Sequence, residues 1–322
     1  MAKVNSIARQ QSNSESERMK KLRNMGRRIW QNRALYVFLL PMMAFFAIFY
    51  FSPLWGLQIA FRDYRPSQGI TGSEWVGMEH IIKFVTSYSF WDLLRNTLVL
   101  SVYSLIVNFP LAIFLALVIQ YIKSKGYRKI VQVATYAPHF VSTVVLTGML
   151  FVFFAPSSGI FNNLIVALGG EAVDFMGTPE SFPHLYVWSG VWQHAGWNSI
   201  IYIAALTGIS PELYEAAIVD GASKFQRVRH IDLPSILPTA VIVLIMDCGR
   251  LMSLGYEKAL LMQTSSNLSA SQIISTYVYE IGIRGSQFSY SSAIGLFNNV
   301  INCILLLLVN FIARKCSDSS LW

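Results

Sequence analysis

The chain has 322 residues, of which 54% are hydrophobic and 13% charged, and its mean hydropathy is +0.46. Soluble chains carry about 25% charged residues, so an ordinary cytosolic enzyme, a secreted scaffold and a disordered chain are excluded. The net charge of +8 points first to nucleic acid, but nine of the 25 Lys and Arg residues lie before Ala34, and their placement carries more information than their sum.

The segment 1–33 is basic, with Met25, Ile29 and Trp30 scattered through it. An interfacial helix on an anionic membrane surface and a solvated tail that orients the next helix both fit this pattern. The first apolar block, Ala34 to Ala60, exceeds the roughly 20 residues that cross a bilayer and is too long for a signal-peptide core. Pro41 and Pro53 fall inside it, which membrane helices tolerate because neighbours satisfy the freed carbonyls.

Five more spans are predicted: Thr97–Ile119, Val131–Phe154, His184–Leu206, Thr239–Leu261 and Ser291–Ile312. The fold class is therefore an all-α integral membrane protein with six transmembrane helices in 34–312. Six spans leave both termini on one side, and the Lys and Arg content of short loops decides which. The segment 1–33, the loop 121–130, the segment 207–238 and the tail 313–322 hold eighteen of the 25 basic residues. The opposite loops hold only Arg62, Arg65, Lys83 and Arg284, so both termini are expected in the cytoplasm. Outside, the loop 155–183 contains an apolar run, Ile160 to Leu168, that predicts a short helix on the outer face.

The cytoplasmic connection 207–238 is too ordered in sequence to be a passive loop. Pro211-Glu212 starts a helix with acid in its first turn, and Asp220-Gly221 lets the chain turn sharply. A second helix carrying Lys224, Phe225 and Arg227 follows, and Leu233-Pro234 is expected to end it. The predicted object is a bent helical pair, small at Ala216, Ala217 and Ala222 where a partner docks closely.

Glu215-Ala216-Ala217, then Asp220-Gly221-Ala222, then Ile231, Leu233-Pro234 and Pro238 resemble the signature loop of the membrane subunits of binding-protein-dependent ATP-binding-cassette importers. The similarity extends to the oligosaccharide and polysaccharide permease branch through Leu94-Arg95-Asn96-Thr97, Tyr136-Ala137-Pro138-His139-Phe140 and Ser320-Leu321-Trp322. Val228 departs from it, standing where many members carry Phe. The resemblance implies a type I importer permease of a bacterial inner membrane, in which Glu215, Ala216, Ala217, Asp220, Gly221, Ala222, Lys224, Leu233 and Pro234 couple to an ATPase.

The implied partners are a second, homologous permease subunit, two ATPase subunits that hold ATP and Mg, an extracytoplasmic solute-binding protein and membrane lipid. The implied cargo is an oligo- or polysaccharide, with an acidic glycan such as alginate among the candidates. The chain itself has no GxxxxGK[ST] phosphate loop and no Gly-Lys dipeptide, so ATP hydrolysis is expected on other subunits. No catalytic residue and no cofactor of its own is expected.

Ionisable groups inside a membrane helix are costly and tend to face a partner or a wet cavity. At 100° per residue, Asp247, Arg250 and Glu257 fall on one face of the fifth span. A polar stripe lining a sugar pathway and an internal Asp247–Arg250 ion pair are both open. Trp188 and Trp192, at i and i+4 in the fourth span, suit either stacking on sugar rings or anchoring at the interface. Asn298 and Asn302 share a face of the sixth span, where hydroxyl binding and interhelical hydrogen bonds are both open. The five histidines and three cysteines show no ligand spacing, so no metal is expected. A self-sufficient proton-coupled transporter using the buried charges is the alternative, and a membrane glycosyltransferase is disfavoured by the lack of paired carboxylates in the cytoplasmic loops.

Overall fold

The computed structural model describes residues 31–316. The basic segment 1–33 and the tail 313–322 therefore fall largely outside the described residues. The chain divides into two units, Met1–Gln58 and Ile59–Trp322. In the first, α1 (Arg33–Phe46) passes into a wide π turn at Ala47–Phe51 and a further turn at Ser52–Leu54 that opens with Pro53. The apolar stretch Arg33–Phe61 has 29 residues, roughly 40 Å of helix at 1.5 Å per residue and enough to cross the hydrocarbon core.

The second unit is helical apart from one two-residue antiparallel ladder, Arg62–Asp63 with Glu74–Trp75. After α2 (Glu79–Val85) comes α3 (Phe90–Gln120), a 31-residue helix, then α4 (Lys125–Tyr136) and α5 (Thr143–Phe153). The apolar run after Gly159 forms α6 (Ile160–Ala167), and α7 (Ser181–Thr207) packs along α3. The bent pair begins with α8 (Pro211–Val219), and α9 runs from Lys224 to Cys248. Then follow α10 (Tyr256–Met262), α11 (Ile274–Tyr279) and α12 (Phe288–Cys316).

Three buried clusters hold these helices. Ala112 and Ala116 of α3 meet Tyr202 and Leu206 of α7 and Ile236 and Ala240 of α9; the two alanines admit the large rings of a neighbour at close range. Leu100, Leu150, Val187, Val191 and Met262 join α3, α5, α7 and α10. Phe84, Leu93, Ile274 and Ile294 join α2, α3, α11 and α12. Asn96 and Thr97, both in the matched motif, pin the start of α11 to α3. The Asn96 amide donates to the Ser269 and Gln272 carbonyls at 2.8 and 3.0 Å, and Thr97 Oγ1 accepts the Ile274 N–H at 3.0 Å.

Two predicted spans are not straight helices. The third, expected over Val131–Phe154, is bent by 99° between Lys125–Phe140 and Thr143–Phe153. Pro138 removes a donor there, Ser142 caps α5 by accepting the Val145 N–H, and Gln193 of α7 donates to the Val141 carbonyl at 2.7 Å. These three residues satisfy a break that lipid alone would penalise.

The fifth span departs more. The helix does not end at Leu233-Pro234 but continues through it, because a π turn at Val228–Asp232 widens the helix just before the proline, with the Leu233 N–H reaching back to Val228 O. It then stops at Cys248, well short of the expected Leu261. A Cβ on Gly249 would stand 2.7 Å from Leu306 Cδ1 of α12, and the chain unwinds from there until α10 begins at Tyr256. Asn302 holds the break by accepting the Met252 N–H at 2.9 Å and donating to Ser253 Oγ at 2.7 Å, while Asn298 donates to the Met252 carbonyl at 2.8 Å.

A coupling loop and a polar cavity

The bent pair is built by local chemistry at each turn. Ser210 caps α8 by accepting the Glu212 N–H, with Pro211 in the first helical position. At its other end the Ala222 N–H bonds to Ala217 O at 2.8 Å and the Gly221 N–H to Ile218 O at 3.0 Å. This is the glycine-terminated helix stop in which the residue after the cap turns left-handed; Gly221 has φ +77°. Ser223 then opens α9 with a reciprocal cap, its Oγ accepting the Gln226 N–H while Gln226 Oε1 accepts the Ser223 N–H at 2.7 Å.

Between the two helices lies a small open cleft bounded by Ala217, Asp220, Gly221, Ala222, Arg227 and Ile231. Glu215, Ala216, Asp220 and Lys224 are exposed, and so are Ile218, Val219 and Phe225, the last two at 87% and 73%. Leu233 and Pro234 lie inside α9 and are also exposed. An exposed apolar surface on a turn, rimmed by charge, is what a protein interface needs. Of the nine loop residues named from the sequence, Ala217, Asp220, Gly221 and Ala222 bound the cleft, while Glu215 and Ala216 lie on α8 and Lys224, Leu233 and Pro234 on α9.

The pathway residues are divided. A polar cavity of about 430 Å³ lies between α3, α7 and the broken fifth span. Ser101, Ser104 and Asn108 of α3 line it, with Gln193, His194 and Asn198 of α7, and with Asp247, Arg250, Glu257 and Lys258. Asp247 and Asn198 also face an adjoining space of about 500 Å³ that reaches Trp197 and Tyr202. Asp247, Arg250 and Glu257 do converge, but not as a stripe on one helix. Asp247 sits in the last turn of α9, Arg250 in the unwound segment and Glu257 in α10, so it is the break that aims them into one space.

No ion pair within 4.0 Å joins Asp247 to Arg250; among the described residues the one such pair is Arg65 with Asp63 at 3.0 Å. Lys258, which was not among the residues singled out from the sequence, lines the same cavity. Its ammonium donates to the Tyr186 carbonyl at 2.7 Å and sits 4.7 Å from that residue's ring centroid, at the wall of the cavity. The cue in the sequence was present: at 100° per residue Lys258 lies only about 20° round a helix from Asp247.

Trp188 and Trp192 lie elsewhere. They line an apolar cavity of about 560 Å³ with Leu146, Phe153, Phe161 and Phe175. The Trp188 indole N–H donates to the Tyr103 hydroxyl at 3.1 Å, which lies 3.0 Å from His184 Nδ1. Asn298 and Asn302 are both 8% exposed and bound to the fifth-span break, so neither lines the polar cavity. His139, unassigned from the sequence, stacks on Trp197 with ring centroids 4.3 Å apart and meets His194 at 3.2 Å between their Nδ1 atoms. No cluster of metal-ligating side chains occurs among the described residues.

The arrangement has close counterparts. The chain is 41% identical over 292 residues, 91% of each chain, to the polygalacturonan/rhamnogalacturonan transport system permease protein YteP of Bacillus subtilis. It is 28% identical over 89% of each chain to the arabinooligosaccharides transport system permease protein AraP of the same organism. Among solved structures, a chain of a bacterial alginate ABC transporter, in complex with its alginate pentasaccharide-bound periplasmic protein, superposes with a TM-score of 0.84. That chain shares 37% identity, over 91% of this chain and 98% of its own. Residues 108–318 match the family model described as the binding-protein-dependent transport system inner membrane component. With the bent pair, the broken spans and the polar cavity all inside or beside that region, the chain belongs to the binding-protein-dependent transport system inner membrane components.

Proposed function

We propose that this chain is the permease subunit of an ATP-driven importer that carries an oligo- or polysaccharide of uronic acids across the bacterial inner membrane. The observation that carries the proposal is the course of α9: one continuous helix begins at Lys224 in the bent pair and ends at Cys248 beside Asp247 on the cavity wall. A movement imposed on the cytoplasmic turn therefore reaches the cavity through a rigid element. Glu215, Ala216, Ala217, Asp220, Gly221, Ala222, Lys224, Leu233 and Pro234 form or frame the surface that takes up that movement from an ATPase subunit.

The cavity chemistry supports an acidic cargo. Arg250 and Lys258 present guanidinium and ammonium donors without carboxylate partners at ion-pair distance, and charged donors bind carboxylates about twice as strongly as neutral ones bind neutral acceptors. Ser104, Asn108 and Asn198 offer neutral donors and acceptors suited to hydroxyls. The relatives named for polygalacturonan and alginate transport are consistent with this choice. Trp188 and Trp192 belong to a separate apolar space, so they are assigned to packing or lipid contact and not to cargo.

In this function the chain works with a second, homologous permease, two ATPase subunits that bind ATP and Mg, and an external binding protein. The Lys and Arg content of the short loops supports a cytoplasmic side for both termini. Reconstitution into vesicles tests the proposal against a proton-coupled carrier. Uptake of a uronate oligosaccharide is expected only with the ATPase, ATP and loaded binding protein present. Uptake by the chain alone on a proton gradient overturns it.

A further inference from the structure

Asp232 ends the π turn of α9, one residue before Leu233-Pro234, and is wholly buried. Its two oxygens are taken by two different elements. Oδ1 accepts the Tyr214 hydroxyl of α8 at 2.5 Å, and Oδ2 accepts the Tyr121 hydroxyl at 2.7 Å from the residue that caps α3. A carboxylate with both oxygens engaged is a stronger tie than a neutral acceptor, and a buried one is costly to leave unbonded. The π turn makes the contact possible, since the extra residue in the turn rotates Asp232 inward from a helix whose neighbours His230 and Leu233 are exposed.

The end of α3 is held on its other side as well. Arg128 donates to the Gln120 and Ile122 carbonyls at 2.9 and 2.8 Å, and the Arg227 guanidinium lies 5.8 Å from the Tyr121 ring centroid. Burial, then the bond to Asp232, pushes the Tyr121 phenol up to about 12, and the same two causes push Tyr214 up. Both phenols remain donors at any physiological pH.

These contacts join three helices at one side chain. Asp232 belongs to α9, which ends at the cavity beside Asp247; Tyr121 closes α3, which carries Ser104 and Asn108 into the same cavity; Tyr214 rides on α8, half of the bent pair. Gln120 of α3 also bonds the Tyr214 side chain, so what the carboxylate adds is α9, tied at one point to both α8 and the end of α3. We propose that Asp232, bridging Tyr121 and Tyr214, is a clamp that makes α3 and α9 move together when the bent pair is displaced, so that both walls of the cavity respond to one event at the ATPase. This rests on the coupling role assigned to the bent pair, and Asp232 is a positioning residue that touches neither cargo nor nucleotide.

The test uses the complete transporter in vesicles and reads ATP hydrolysed per sugar carried, together with the ATPase retained on purification. Y121F and Y214F each remove one hydroxyl and nothing else. Each is expected to keep the ATPase bound and to raise ATP consumed per sugar by about fivefold, within the range that relayed couplings span. The double variant is expected to be little worse than either single one, because both act through one carboxylate. Asp232→Asn, which keeps an acceptor for one phenol, is expected to fall between wild type and the double variant. Unchanged stoichiometry in both Phe variants overturns the clamp, and so does loss of the ATPase from both, since the contact would then build the docking surface instead of relaying its motion. Gly221→Val controls the underlying role. If it transports with normal stoichiometry the coupling assignment itself fails, whereas if it uncouples and the Phe variants do not, only the clamp fails.

Discussion

Lys258 holds its ammonium 2.7 Å from the carbonyl oxygen of Tyr186, over that residue's own ring, at the edge of a polar cavity it shares with Arg250. The carbonyl and ring replace part of the water an ammonium loses on leaving bulk solvent, and no carboxylate within ion-pair distance neutralises it. Such a cation is fixed in place yet free to bind an anion. Lys258→Met keeps the stem and removes the charge. The expected result is a rise in the KM for a uronate oligosaccharide of roughly tenfold to a hundredfold, from loss of one charged hydrogen bond of about 1.5–3 kcal/mol. Uptake of the same oligosaccharide with its carboxyls reduced to alcohols should change little. Equal losses for both sugars would assign Lys258 to packing.

Gly221 stands at φ +77° with open space where a Cβ would go, so a side chain there is penalised by the backbone and not by a clash. A β-branched residue in that conformation costs roughly 1–2 kcal/mol, enough to shift the angle between α8 and α9 but far below what would unfold a membrane protein. Gly221→Val should therefore insert and fold normally, while stimulation of ATP hydrolysis by loaded binding protein is lost. Gly221→Asn, which tolerates left-handed backbone, should retain most of it. Stimulation intact in the Val variant would remove Gly221 from the coupling path.

Where the sequence was legible, one local rule was enough to decide the structure. The bent pair follows from Pro211 at a helix start, Gly221 at a left-handed stop and Ser223 three residues before Gln226, and α6 from the largely apolar run Ile160 to Leu168. The straightness of spans three and five was not legible, because a break inside a membrane is set by what satisfies its backbone, and those partners lie far along the chain. Gln193 serves Val141 across 52 residues and Asn302 serves Met252 across 50. Spacing at 100° per residue grouped Asp247, Arg250 and Glu257 for a reason that does not apply, since a break and not one helical face brings them to the same cavity. Asp232 was invisible for a similar reason: nothing in Ile231-Asp232-Leu233-Pro234 announces that a π turn directs the acid inward toward two tyrosines.

Asn302 gives a test of how the fifth-span break is maintained. Its amide accepts the buried Met252 N–H and donates to Ser253, so Asn302→Leu leaves a buried backbone donor unpaired. The expected destabilisation is about 1–3 kcal/mol, seen as a lower unfolding midpoint of the purified chain, with KM for sugar altered less than stability. Asn298→Leu should be milder, since the Met252 carbonyl it serves has a second lone pair and under-satisfied carbonyls are better tolerated than orphaned N–H groups. A selective loss of sugar affinity with unchanged stability would instead place Asn302 against cargo.

The alkaline behaviour at the end of α3 follows from Tyr121. Its phenol is raised from an ordinary 10.0 to about 12, first by burial and then by the Asp232 carboxylate, against a smaller opposing effect of Arg227. The folded chain thus holds this proton more tightly than the unfolded chain. Between about pH 10 and 12 the folded state binds more protons, so raising the pH destabilises it there. The contribution is complete below about pH 10 and is lost as the pH climbs through the folded value. In detergent, the unfolding midpoint of wild type minus that of Y121F should be constant from about pH 7 to 9.5 and then decline toward pH 12, because the titrations of the other tyrosines cancel in the difference. Tyr214 shares the carboxylate and is raised as well, so the same difference measured in a Y214F background should begin to decline from a different starting value but with the same sign. A difference that grows as the pH rises would contradict the Tyr121–Asp232 bond.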